Sequence, residues 1–400
     1  MTVIVDGTAG ISTPNVSSSN GMTITGTLSV SNTVTFADST AFNTAYSLGM
    51  RNRIINGGFD VWQKGTSFTG PSSATTYLAD RWVVSNSITT AGATFAQSTD
   101  VPPGSGFNYS MLQTVTATQS TVNTGNFYGF WQGIEGYNTA HLAYGTSAAK
   151  TVTLSFWVKS SVTGTYVANI YQLGTNPRVF PYTYTISSAN TWTFISVVIP
   201  GDTVANAMST TNNGSIYMYF YTMLSASSFS NGTLNVWNTN SGSNQYGGSS
   251  GGVNLFATSG ATWQITGVQL EIGSVATPFE KRLFGNELAL CQRYFCKSYN
   301  SEVAPGAATT VGATAFYSPT SQGNRPIIQT YFPVTMRATP TVTAYSPNNG
   351  ATGNFYNADQ TTNVTVSSIN LGASGATWYV NSAMTVGVYG IGHWTASAEF

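Results

Sequence analysis

A chain of 400 residues, 41% of them hydrophobic, is long enough for two or three domains with cores of their own. Only 6% of it is charged, 13 basic against 13 acidic side chains. That excludes both the clustered basic surface needed for nucleic acid and the polybasic patch needed for anionic lipid. Disorder of the chain as a whole is excluded as well, because a disordered chain usually combines low hydrophobicity with high charge. The polar surface must be Ser, Thr, Asn, Gln and Gly. Such a neutral surface repels its own copies poorly, which fits a permanent assembly; secretion into a salty habitat, where charge is screened, is the alternative. The start, Met1-Thr2-Val3-Ile4-Val5-Asp6, lacks the basic and apolar regions of a signal peptide, and no stretch reaches the roughly 20 apolar residues of a bilayer span.

Residues 1–49 carry short runs of alternation around Leu28-Ser29-Val30 and Thr33-Val34-Thr35-Phe36. Strands this short and polar do not stand alone. They become stable when several chains wrap one axis around a thin apolar interior. Leu28, Val30, Val34 and Phe36 are therefore candidate oligomer contacts, and a Thr-rich disordered tail is the alternative.

Residues 50–283 read as one large β domain. In 150–159, Val152, Leu154, Phe156 and Val158 fall on one face at period two. Further strands are expected at 166–171, 191–199, 216–221 and 263–272, separated by Gly, Asn, Pro and Ser clusters. Many short strands without intervening amphipathic helices predict a sandwich or jelly roll. The tract 238–252 reads as a long loop whose one large side chain is Tyr246.

Residues 284–299 are predicted to form a linker helix, running over 287–297 with Asn286 as its cap and Glu287 and Lys297 matching the helix dipole. Leu288, Cys291 and Phe295 make one apolar stripe. It can pack on its own domain or, as a hinge, against symmetry mates, so Leu288 and Phe295 join the candidate oligomer contacts. Cys291 and Cys296, five apart on that helix, point about 140° from each other and are expected to be buried free thiols. Residues 300–400 suit a second, smaller β-sandwich.

The inventory for chemistry is small. His141 and His393 are the only histidines, and no metal-ligand spacing, P-loop or nucleophile elbow is present. No catalytic residue and no metal ligand set is assigned. Asp60, Asp80, Glu135 and Glu271 could supply a hydrolytic pair of carboxylates, but they read as structural carboxylates. No cofactor is expected; calcium on Asp60 and backbone carbonyls is the one alternative kept open. Sugar binding needs aromatic faces beside amides and hydroxyls. With strand aromatics assigned to the core, the candidates are the loop residues Tyr246, Tyr345, Phe355 and Tyr356.

These residues carry a resemblance. Arg53-Ile54-Ile55-Asn56-Gly57-Gly58-Phe59-Asp60-Val61-Trp62-Gln63 followed by Ala79-Asp80-Arg81-Trp82 resembles the opening of a domain common in bacteriophage tail-fibre proteins. Leu154-Ser155-Phe156-Trp157-Val158-Lys159 and Gly267-Val268-Gln269-Leu270-Glu271-Ile272-Gly273 are similar to its middle and closing strands. Leu290-Cys291-Gln292-Arg293-Tyr294-Phe295 and the stretch 332–340 are similar to the exit helix and terminal domain. The resemblance implies a jelly roll like that of carbohydrate-binding modules, a homotrimeric fibre on the outside of a virion, and attachment to a bacterial host through surface polysaccharide. It also implies other tail or baseplate proteins as partners of the N-terminus. In the module family an acidic residue near the last strand holds calcium; here Ile265-Thr266-Gly267-Val268 has none before Glu271. An architectural virion component without receptor binding and a secreted carbohydrate-binding protein are the rival readings.

Overall fold

The computed structural model describes residues 34–35, 41–42, 50–70, 75–226, 232–240, 252–318, 325–382 and 384–400. The chain divides into two compact units, Met1–Ser47 and Leu48–Phe400. In the first, Val34–Thr35 pairs antiparallel with Ala41–Phe42. Of the N-terminal candidates, Val34 lies in that strand, while Leu28, Val30 and Phe36 fall outside the described residues.

The second unit is all-β, with three antiparallel sheets among the described residues. Two of them form a sandwich. The seven-stranded sheet runs, edge to edge, Asn238–Thr239, Arg178–Ile186, Gly164–Gln172, Gly214–Leu224, Phe127–Glu135, Val83–Asn86 and Thr75–Tyr77. The six-stranded sheet runs Thr193–Ile199, Val152–Ser160, Thr262–Ile272, Ser110–Ala117, Gly92–Ser98 and Ser67–Thr69. Each sheet mixes consecutive strands, such as Gly164–Gln172 with Arg178–Ile186 and Gly92–Ser98 with Ser110–Ala117, with neighbours far apart in sequence, such as Phe127–Glu135 with Gly214–Leu224, as in jelly rolls. The core between them is aromatic. Phe156 meets Tyr184 at 5.3 Å and Phe220 at 5.0 Å across the gap, and Phe130 meets Trp263 at 6.1 Å. Val152, Leu154, Phe156 and Val158 are buried in this core, as their period-two spacing predicts.

The opening motif ties the two sheets together, Ile55 N donating to Gln132 Oε1 at 3.0 Å and Asn52 Nδ2 to the Val268 carbonyl at 3.0 Å. Asn56 and Phe59 take positive φ, at 58° each. Asn56 holds the loop shut by donating from Nδ2 to the Val61 and Asp80 carbonyls at 2.8 and 3.0 Å. Gly57 lies against the last strand so closely that a Cβ there would stand 2.1 Å from the Val268 carbonyl oxygen.

The third sheet lies in 295–400 and has its own core around Phe355, Trp378 and Trp394. Its hub is Tyr389–Ser397, which pairs with Phe295–Lys297, Thr314–Tyr317, Thr341–Tyr345 and Asn354–Asn357 along different parts of its length.

The linker helix differs from expectation. It spans Phe284–Gln292 and starts after Leu283 without a side-chain cap, so Asn286 does not cap it. Glu287 instead accepts from Arg282 Nη1 at 3.2 Å and from the Asn56 amide. Phe295–Lys297 leaves the helix because its backbone completes a ladder with Tyr389–Ser397. Phe295 is 6% exposed and covered by the Lys64 ammonium, 4.2 Å from its ring centroid, so it is no oligomer contact. Leu288 is partly buried against Ile55, Val61, Cys291 and Tyr294 of its own chain. Both cysteines are free and buried, and burial pushes the Cys296 thiol up to about 12.

Candidate functional site

The outer face of the seven-stranded sheet is aromatic. In Gly214–Leu224 the inward positions are Ile216, Met218 and Phe220, all in the core, so Tyr217, Tyr219 and Tyr221 point outward. On the flanking strand Phe127–Glu135 the outward partners are Gly133 opposite Tyr217, Trp131 opposite Tyr219 and Gly129 opposite Tyr221. On the other flank Tyr171 pairs with Tyr217.

Those glycines set the geometry. A Cβ at Gly133 would stand 2.8 Å from Tyr217 Cε1, and one at Gly129 would stand 3.0 Å from Tyr221 Cε1. Each tyrosine ring therefore lies down over bare backbone rather than standing off the sheet. The result is a contiguous platform. Trp131 is 5.6 Å from both Tyr217 and Tyr219, and Tyr171 lies 6.4 Å from Tyr217. Tyr219 and Tyr221 stack at 5.9 Å with their planes 1° apart. Tyr171, Tyr217 and Tyr219 are half-buried, Trp131 is 9% exposed between them, and Tyr221 is buried.

The polar edge of the platform is neutral. Trp131 Nε1 donates to Ser85 Oγ at 2.9 Å, and Asn169 Nδ2 donates to the Tyr221 hydroxyl at 3.1 Å. Beside Tyr217 the platform runs into a hollow of about 510 Å³, lined among others by Ser209, Asn213, Arg337 and Phe400. Burial holds the Tyr217 phenol above its usual range, against the pull of Arg337 and Arg81, so it is a neutral hydrogen-bonding group at physiological pH. Flat rings flanked by amides and hydroxyls can stack on a sugar ring and bind its hydroxyls.

Assigning strand aromatics to the core, as the sequence alone suggests, overlooks this face. The signal was present: Tyr at three alternate positions of a strand whose intervening positions already fill the core, beside a strand with Gly at two outward positions. The loop candidates fare differently. Tyr246 lies outside the described residues. Phe355 is fully buried and presents no face to a sugar; its ring lies over Gly392, where a Cβ would come within 2.0 Å of it. Tyr345 is half-buried against Tyr299, 6.2 Å away, and pairs with His393. Tyr356 is half-buried and pairs with Ile391 on the same hub strand, so the two tyrosines share a sheet face.

Three of the four carboxylates weighed for hydrolysis are engaged in structure. Asp80 accepts from the Gln63 amide at 2.6 Å and from Gln63 Nε2 at 2.7 Å, while its neighbour Arg81 turns to Glu399 at 2.5 Å. Glu135 receives two 2.8 Å bonds from Arg293. Glu271 accepts from Gln269 Nε2 at 2.9 Å and the Thr277 hydroxyl at 2.6 Å. Asp60 differs: it is half-buried, its carboxyl is held up by burial, and Asn108 Nδ2 donates to it at 3.3 Å. The Lys281 ammonium lies near enough to pull it partly back. A lysine at that place disfavours a calcium ion. Among the described residues no three His, Cys, Asp or Glu side chains gather as a metal set, and no helix is long and apolar enough to cross a membrane.

No family model matches the chain, and no curated protein matches it. Solved structures do. The enzymatically active domain of tailspike protein 4 of bacteriophage CBA120 is similar over 56% of this chain, at 16% identity and a TM-score of 0.29; the match covers 22% of that tailspike chain. The family 11 carbohydrate-binding module of Clostridium thermocellum, solved with a β-1,3-1,4-mixed-linked tetrasaccharide, is similar over 53% of this chain and 98% of its own, at 11% identity and a TM-score of 0.26. The C-terminal family 22 module of Clostridium thermocellum Xyn10B is similar over 52% and 99%, at 12% identity and a TM-score of 0.28. Likenesses this remote carry neither function nor site residues to this chain.

Proposed function

We propose that this protein is a trimeric tail fibre of a bacterial virus that holds host surface polysaccharide on the outer face of its seven-stranded sheet without cleaving it. The observation that carries the binding is the platform of Trp131, Tyr171, Tyr217 and Tyr219, four adjoining rings on a rigid sheet with amides and hydroxyls at hand. A site of this kind stacks and hydrogen-bonds and needs no acid–base pair. The viral setting rests on the order of sequence motifs and on a surface nearly bare of charge, which suits permanent assembly. In this reading the N-terminal segment joins the chain to tail or baseplate proteins, and weak sugar contacts multiply over three copies.

The test is an array of bacterial surface polysaccharides probed with the full chain and with Trp131→Ala and Tyr219→Ala variants. The wild type is expected to retain a subset of glycans, and each variant to lose about tenfold in affinity or more while keeping its β fold by circular dichroism, with a lowered melting temperature for Trp131→Ala because that ring is 9% exposed. Wild-type binding that both variants retain would remove the platform from the site. A chain that binds no glycan but enters virions would be an architectural component.

A further inference from the structure

A second place has the makings of a ligand site, on the opposite side of the sandwich. Two hollows, of about 210 and 390 Å³, lie side by side and share Asp60, Asn108 and Phe284. The smaller is walled by Phe107 and Phe279, which meet edge to face at 4.9 Å. Phe107 reaches that position over Gly267, which sits at φ +64° in a bulge of the last strand; a Cβ there would lie 2.5 Å from Phe107 Cζ. Gly58 likewise leaves room beside the carboxylate, since its Cβ would stand 3.1 Å from Asp60 Oδ2. The larger hollow is lined by hydroxyls and amides, including Thr66, Gln97, Tyr109 and Ser301, with Trp62 in its wall.

The Asp60–Asn108 pair therefore stands between an aromatic compartment and a hydroxyl-lined one. Among the described residues Asn108 is the one hydrogen-bond donor to Asp60. Phe284, 53% exposed at the start of the helix, overhangs both hollows. Charge in the trough is nearly balanced: Asp60 is opposed by Lys281, whose ammonium lies 5.1 Å from the Phe107 ring centroid, Arg282 pairs with Glu287 at 3.2 Å, and Glu302 in the lining of the larger hollow is left over, so the trough does not select a strongly charged ligand. A carboxylate that accepts from two neighbouring hydroxyls, an amide that does either, and an aromatic wall on one side match a pair of linked neutral sugars.

We infer that this trough is a second glycan-binding site, taking a neutral disaccharide unit with one residue against Phe107 and Phe279 and the next among the hydroxyls, and with Asp60 and Asn108 bonding both. The ligand class rests on the glycan reading above; the location does not. It would place glycan contacts on two faces of one sandwich, so a single fibre could bridge neighbouring chains of a polysaccharide.

The test labels the full chain with 5-fluorotryptophan and follows ¹⁹F resonances during titration with maltose, cellobiose and lactose at high millimolar concentration. Trp62 reports on the trough and Trp131 on the platform. The expected result is that at least one disaccharide shifts Trp62, and that Asp60→Ala and Asn108→Ala each weaken that response about tenfold while leaving the Trp131 response intact. Asn108 is exposed, so its variant keeps the test usable should Asp60→Ala fold poorly. A Trp62 signal unmoved by all three sugars, or moved equally in both variants, overturns the trough. A Trp131 shift without a Trp62 shift overturns the trough and leaves the platform standing; the converse leaves the trough and removes the platform.

Discussion

At Gly133 the platform depends on an atom that is missing. An alanine there would set a Cβ 2.8 Å from Tyr217 Cε1 and 3.1 Å from the Phe400 ring, so Tyr217 must tilt off the sheet. The Gly133→Ala variant is expected to lose about 1–3 kcal/mol of stability in chemical denaturation. It should also lose affinity for any glycan that the wild type binds. Affinity retained at full strength would mean that Tyr217 is not part of the surface that matters. The same spacing explains what a reader of the sequence could and could not see. Inward residues were legible because burial enforces period two, as Val152 to Val158 show. The outward tyrosines were not, because an apolar residue on a strand reads as core until the opposite face is known to be full. Phe355 failed in reverse: it stands among Gly and Asn like a loop residue, yet Gly392, distant in sequence, makes the space that buries it.

Among the elements, the short strand Phe295–Lys297 shows why the helix ended early. Helix propensity and dipole matching favoured a helix through Lys297, but those are tenths of a kcal/mol per residue. The competing ladder also places Lys297 inside the molecule, where its ammonium donates to the carbonyls of Gln63 at 2.6 Å and Ser301 at 3.0 Å, and to that of Val303. One side chain thus ties the sandwich, the strand and the following loop. Lys297→Met leaves those carbonyls without a donor and is expected to cost about 2–3 kcal/mol at neutral pH. Burial pushes the ammonium down to about 8 from its ordinary 10.5. A lysine with a depressed folded-state pKa opposes folding while both states are protonated, and that opposition fades as pH rises from about 8 to 10.5. Wild-type stability should therefore climb relative to the Met variant over that window. A difference that stays flat in parallel denaturation curves would show that the three carbonyls, rather than burial, set the titration.

For the whole molecule, the question is what a chain with 6% charge does at high local concentration. The two cores are joined by polar ties, including Arg293 on Glu135 and Arg337 on the Asn212 and Ala398 carbonyls at 2.9 and 2.7 Å, within the one compact unit Leu48–Phe400. The proposed glycan surfaces are shallow, and shallow sites bind weakly one at a time. Attachment then requires copies, and the proposed place for joining them is the N-terminal segment with Leu28, Val30, Val34 and Phe36. Light scattering on a sizing column should give a trimer for the full chain and a folded monomer without residues 1–49. The monomer should keep the array specificity of the full chain but adhere to cells at least 10²-fold more weakly, the lower end of the gain that linked sites supply. A monomeric full chain that still adheres strongly would detach valency from attachment and leave one tight site to find. A trimer that survives the truncation would move the interface into Leu48–Phe400, where the exposed Tyr317, Ile327 and Tyr331 of the third sheet are the first residues to mutate.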